Sequence, residues 1–300
     1  MLSQARLWFL AARPWSYSVS ITPVVLGTLM AWLDGCPLRW DLFLMTLIAG
    51  VLLHSGCNYL NTYGDYLSGV DTVESAFSCP HLVRGMLTPR PVWRAGVLCL
   101  GAGAAIGVVL AVHCGWPVVC YGGLGLAGAY CYTTSPAPYK YVGLGPVLVF
   151  FLMGPLMVCP AYFVQAGSVP LSVVAVSLII GCLVTGVLQA NDIQDIKHDR
   201  ASGIRTMAIM LGRRKAIMVY CSLYVAAFAL LGLSIAARFV PPAALITLPL
   251  VVPMARMIRN LAHKPCREAQ VSGLMFWSAR YHTQFGVLFA GALIVAGLAR

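Results

Sequence analysis

LSVVAVSLIIGCLVTGVLQANDIQDIKHD, residues 171–199, decides how this chain is read. Residues 171–190 carry no charge, and roughly 20 apolar residues is the length of helix that crosses a bilayer. The run then ends in three carboxylates, Asp192, Asp195 and Asp199, spaced i, i+3 and i+7. On a continuing helix that spacing puts all three on one face, about two turns long. A spanning segment capped by an acidic row is the unit from which the rest of the chain is understood.

Eight further apolar runs share the length of this one. Together they predict nine spans, at 16–33, 41–60, 95–113, 116–134, 143–165, 169–190, 216–237, 240–258 and 283–299. The chain of 300 residues is 60% hydrophobic and only 10% charged, and none of its polar stretches is long enough to form a soluble domain. The expected fold class is therefore all-α: one integral-membrane domain over 1–300, with nine transmembrane helices around a central cavity open to the cytoplasmic side. With the N-terminus inside, 17 of the 20 Lys and Arg fall in cytoplasmic segments, leaving Arg39, Arg238 and Arg300 outside. That asymmetry fits the positive-inside rule, places the protein in the cell membrane, and accounts for the net charge of +11 without a nucleic-acid partner.

Residues 1–15 lack the apolar core and cleavage site of a removable signal and read as an interfacial segment, with Trp8 and Trp15 at headgroup depth. The 11 cysteines contain no CxxC pair and read as small buried hydrophobes. The glycines of 101–103 and 122–125 read as helix-packing positions.

Six of the nine acidic residues fall in two clusters. One is the row at 192–199; the other comprises Asp65, Asp71 and Glu74, with Asn58, Asn61 and Asp65 again at i, i+3 and i+7. On a soluble helix such a row is commonly a solvated face. Here acid is scarce, and charge near the bilayer is costly enough to mark function. Two facing rows of oxygen ligands suit Mg²⁺, which keeps several waters and bridges a few carboxylates to substrate phosphates. Basic residues follow both clusters: His81 and Arg84 after the first, Arg200 and Arg205 after the second, and Lys140 alone in the 139–141 loop. Arg grips phosphate bidentately and Lys supplies a point charge, so acid and base around one cavity point to a metal–diphosphate site.

At this level of detail the chain resembles the UbiA-type intramembrane prenyltransferases. The run from Asp192 through Asp195 to Asp199 fits that family's second motif, Asp-x-x-Asp-x-x-x-Asp. Asn61 to Asp65 fits its first, with Thr62 standing where an Asp is usual and Asp71 two positions beyond the last Asp. Stretches 12–16, 63–72, 84–85, 132–133 and 138–145 are similar to the dihydroxynaphthoate prenyltransferases of menaquinone biosynthesis, although Pro146 stands where an acid is common.

The resemblance implies Mg²⁺-dependent transfer of a polyprenyl group from a polyprenyl diphosphate to an aromatic acceptor, foremost 1,4-dihydroxy-2-naphthoate. It implies metal ligands at Asn61, Asp65, Asp192, Asp195 and Asp199, and diphosphate contacts at Arg84, Lys140, Arg200 and Arg205. Asp65, Asp195, Asp199, Arg84 and Lys140 would be catalytic. Asn58, Asp71 and Asn191 are further candidate ligands, and Tyr63, Tyr132 and Tyr139 offer aromatic faces to an allylic cation. His81 is a candidate on the acceptor side. Alternatives are another acceptor (hydroxybenzoate, homogentisate or a porphyrin), a CDP-alcohol phosphotransferase, or a cation-coupled transporter. The phosphotransferase would need one continuous Asp motif, and a transporter would need carboxylates near the midplane rather than at span ends beside Arg.

Overall fold

The computed structural model describes residues 3–73, 79–134, 136, 138–262 and 271–299. Glu74 and Arg300 lie outside them. The described residues form helices and turns with no strand. In chain order the helices are α1 (Gln4–Ala11), α2 (Ser18–Leu33), α3 (Trp40–Leu67), α4 (Pro89–Cys114), α5 (Pro117–Tyr130), α6 (Gly145–Met153), α7 (Pro155–Ala166), α8 (Leu171–Ala201), α9 (Met207–Ala236), α10 (Val251–Ala262) and α11 (Leu274–Leu298).

Seven bodies are long and apolar enough to cross a membrane: α3, α4, α6 with α7, α8, α9, the segment Pro242–Ala262, and α11. An eighth is reached if α1 and α2, bent by 55° at Pro14–Ser16, count as one span. The stretch expected as a fourth span holds α5, only 14 residues long. At ~1.5 Å per residue that helix reaches ~21 Å, short of a ~30 Å hydrocarbon core. The chain is a polytopic helical membrane protein, and its outward side chains agree: Leu98, Val112 and Val287 project from α4 and α11 with 72%, 80% and 66% of their surface exposed.

Helix α8 is the centre of the bundle, packed against α2, α6, α7, α9 and α11. Its buried Ile179, Ile180, Leu183 and Ile193 form the main core with Tyr220 and Tyr224 of α9 and Phe285 and Phe289 of α11. Close approach requires glycine where two helices cross. A Cβ on Gly154, between α6 and α7, would sit 2.6 Å from the Ser177 carbonyl and 2.7 Å from the Gly181 Cα of α8. Of the glycines expected to pack helices, only Gly103 does so, against Leu53 and Ala49 of α3. Gly101, Gly122, Gly123 and Gly125 have nothing within 4 Å of a Cβ, so their smallness leaves space rather than contact.

The N-terminal segment is tied to the bundle at several points. Tyr59 Oη donates to the Trp8 carbonyl at 2.9 Å, and Leu7 and Ala11 pack with Cys79, Leu82 and Val92. Trp15 packs on Phe276 of α11, ring centroids 5.2 Å apart, and faces the cavity.

Candidate active site

A cavity of ≈ 480 Å³ runs along one face of α3. That helix contributes Thr46, Ala49, Gly50, Leu53, His54, Cys57, Asn58, Asn61 and Asp65, a stripe at spacings of three and four. From Thr46 to Asp65 the stripe extends ~29 Å at ~1.5 Å per residue, close to the thickness of a hydrocarbon core. It passes from apolar to amide to carboxylate. Leu110, Val118 and Val164 close the greasy end, whereas Asp71, Lys140, Asp195, His198 and Asp199 surround the polar one.

The two acidic helix ends meet there. Past the end of α3 the chain folds back, the amides of Val70 and Asp71 both donating to the Asp65 carbonyl, and Ser202 Oγ just beyond α8 donates to the Gly69 carbonyl at 3.2 Å. Asp65 is buried and fully engaged. Lys140 Nζ contacts its two oxygens at 2.9 and 2.7 Å, Tyr141 Oη donates to Oδ1 at 2.8 Å, and Asn61 Nδ2 donates to Oδ2 at 2.9 Å. Lys140 sits in the turn Tyr139–Val142, docked by the Arg205 amide donating to the Tyr141 carbonyl. Burial works against its charge, but the Asp65 carboxylate, with Tyr141 and Asp199, more than offsets this and holds the ammonium above its ordinary pKa. Asp71, at the loop edge of the mouth, is pushed up to about 6 by burial and by repulsion from Asp65, against the pull of Arg13 and Lys140.

The structure thus brings Asn58, Asn61, Asp65, Asp71, Tyr132, Tyr139, Lys140, Asn191, Asp195 and Asp199 to one cavity wall. Other expected residues lie elsewhere. Asp192 is buried behind the wall, while Asn191, Gln194 and His198 share the face with Asp195 and Asp199. Arg84, Arg200 and Arg205 are exposed and outside the wall, and Tyr63 packs near the N-terminal segment. His81 is buried against the Cys79 thiol, its Nδ1 3.2 Å from Sγ. Asn58 spends its amide on the Ala12 carbonyl (2.9 Å) and on Ser16 Oγ (3.4 Å), a bond to the N-terminal segment rather than a free ligand arm.

Sequence reasoning missed two residues. Arg13, taken only as part of an opening motif, lines the cavity in a left-handed backbone conformation (φ 57°, ψ 57°), and its Nη2 donates to Thr62 Oγ1 at 3.3 Å. A non-glycine residue at positive φ is uncommon and clusters at functional sites. This bond also accounts for Thr62: the hydroxyl that replaces a motif carboxylate supports a cation instead. His54, on the α3 stripe, was the other, and its spacing of four from Asn58 was the available signal.

The donor set suits a hard divalent ion. The mouth offers carboxylates and amide oxygens, and buried Asp192 Oδ1 has no hydrogen-bond partner among the described residues. No three His, Cys, Asp or Glu among those residues converge into a cage. Mg²⁺ needs none, since it keeps waters and takes phosphate oxygens as ligands.

The chamber is graded from an acid-and-base mouth to a greasy end, a shape and polarity that fit a long amphiphilic anion. The chain belongs to the UbiA prenyltransferase family, whose model matches residues 20–280, and like its members it is a prenyltransferase. It is 31% identical over 277 residues to mouse UbiA prenyltransferase domain-containing protein 1, covering 89% of this chain and 81% of that one. It is 35% identical over 215 residues to the 1,4-dihydroxy-2-naphthoate octaprenyltransferase of Mycobacterium tuberculosis, covering 71% and 72%. A UbiA homolog from Archaeoglobus fulgidus, solved bound to GPP and Mg²⁺, shares the fold with a TM-score of 0.70 at 14% identity over 98% of each chain.

Proposed function

We propose that this enzyme transfers a polyprenyl group from a polyprenyl diphosphate to 1,4-dihydroxy-2-naphthoate, with Mg²⁺, from a cavity facing the cytoplasm. The observation that carries the reading is the polarity gradient of the α3 stripe, from Thr46 to Asp65. It matches a substrate with a long apolar tail and an anionic head. The naphthoate acceptor is favoured by the similarity to the mycobacterial octaprenyltransferase and by the branch-specific stretches of the sequence.

Asn61, Asp65, Asp195 and Asp199, with Asp71 and Asp192 close by, would hold Mg²⁺, which supplies charge neutralisation for the departing diphosphate. Lys140 and Arg13, both lining the cavity, would hold the diphosphate, preorganised in a low-dielectric chamber where such contacts are strong. Arg84, Arg200 and Arg205, exposed on the same end, add a positive field that draws the anion in. As the C–O bond breaks, the allylic cation lies beside Tyr132 and Tyr139, whose rings meet edge to face at 5.3 Å. The apolar arm keeps water from that cation, and an electron-rich ring carbon attacks it. Loss of a proton and, from a naphthoate, of carbon dioxide restores the ring.

Mass spectrometry of products tests this. Purified protein is offered several aromatic acceptors with a mixed set of polyprenyl diphosphates, with and without excess chelator. Prenylated naphthoquinol forming only when Mg²⁺ is free is expected; exclusive labelling of another acceptor would reassign the substrate.

A further inference from the structure

Gln194 stands in the acidic row of α8, just before Asp195, and its amide is oriented by a bond that leaves no choice. Its Oε1 accepts the backbone N–H of Met275 at 2.6 Å. An N–H only donates, so the side-chain atom facing it is the oxygen, and the amide cannot be turned over. Met275 lies in the first turn of α11, where amides lack intrahelical partners, and the Gln194 oxygen fills that place. With its oxygen committed to α11, the side chain offers the cavity its NH₂, a neutral group that only donates. Nε2 has no partner among the described residues. It is not sealed in either: the residue is half-buried and lines the cavity, and, unlike Asp192 Oδ1, this nitrogen keeps accessible surface.

The bond also ties this donor to an aromatic wall. Met275 is followed by Phe276, whose ring meets that of Trp15 at 5.2 Å between centroids, tilted by 59°. Gln194, Met275, Phe276 and Trp15 all line the cavity. An unpaired amide is thus anchored one residue from a pair of rings, and a flat apolar ligand with an acceptor oxygen at its edge answers both. We propose that Gln194 is the residue that reads the prenyl acceptor: Nε2 donates to the carboxylate of a hydroxyaromatic acid whose ring lies against Phe276 and Trp15. This inference rests on the prenyl-transfer reading above and adds the group that selects a carboxylated ring over the same ring without its acid. A diphosphate oxygen is the competing recipient of this donor, and the rings beside Met275 favour the aromatic acid.

The test compares 1,4-dihydroxy-2-naphthoate with 1,4-dihydroxynaphthalene, which lacks the carboxyl group, as acceptors for a polyprenyl diphosphate with Mg²⁺. Wild type is expected to prefer the acid. Gln194→Glu keeps an oxygen for the Met275 amide, so α11 stays anchored, and presents an acceptor to the cavity in place of the donor. It lowers kcat/KM for the acid roughly 10–100-fold, the scale of one lost hydrogen bond to a charged group, and leaves the diol within about threefold. Gln194→Met, similar in size and without either polar atom, also loses the preference. In both variants KM for the prenyl diphosphate stays within about threefold, a split that general misfolding does not produce. Equal losses on the two acceptors with a raised KM for the diphosphate would assign the amide to the prenyl donor and overturn the proposal. So would both variants keeping the wild-type preference. Wild type prenylating no hydroxyaromatic acid at all overturns the parent reading, and this inference with it, so the two failures are told apart.

Discussion

Lys140 and Asp65 show how much one buried contact decides. Removing the lysine as Lys140→Met strands a carboxylate that is 3% exposed, and breaking a buried pair from one side costs about 3–5 kcal/mol. Lys140→Met should therefore melt early and lack turnover. Adding Asp65→Asn should recover much of the stability and none of the activity; equal melting of the single and double variants would show that the pair is not what holds this end together. Asp71 makes a second prediction. Between the ordinary carboxyl value of 3.8 and about 6 the folded chain keeps a proton that the unfolded chain gives up. This group's contribution to stability thus falls as pH rises through that window and levels off above it. A divalent ion competes with the same proton, so Mg²⁺ should raise the melting temperature less at about pH 5 than at about pH 7.5. Asp71→Asn should flatten that difference, and a Mg²⁺ effect independent of pH would speak against a role for this carboxyl.

Among the helices, the sequence made the acidic rows legible because scarcity and spacing both signal in one dimension. It did not make legible which row members face the cavity: Asp192 turns behind the wall, a consequence of how α8 is rotated by its neighbours. Arg13 was hidden for a different reason, since its role depends on a left-handed turn that no local pattern around Pro14 announces. Glycine roles were equally invisible. Gly154 and Gly122 look alike in the chain, yet one touches α8 backbone and the other borders open space. Gly154→Ala should cost about 1–3 kcal/mol through overpacking, whereas Gly122→Ala should leave the melting temperature nearly unchanged. Similar losses in both would mean the helix contact at Gly154 is not tight.

For the molecule as a whole, composition and charge asymmetry declared a polytopic membrane protein, and motif spacing declared its family. The count of spans does not follow from hydropathy in the same way, because α5 is apolar but short, and hydropathy alone does not register a helix that stops early. Sidedness is open to a direct measurement. Arg39 lies just before α3 and exposed Lys197 near the end of α8, close to the acidic mouth. Cysteines introduced by Arg39→Cys and Lys197→Cys should react with a membrane-impermeant thiol reagent from opposite faces, the second only in inverted vesicles. Labelling of both from one face would contradict the proposed orientation.

The ammonium of Lys140 and the carboxylate of Asp65 satisfy each other. An unaccompanied metal ion arriving at the acid would orphan the amine, and an unaccompanied pyrophosphate arriving at the amine would orphan the acid. A salt of the two leaves neither stranded, since each side of the couple simply changes partner. The pair is in this sense bolted against half-reagents, and a donor carrying its own metal would be the one it admits most readily.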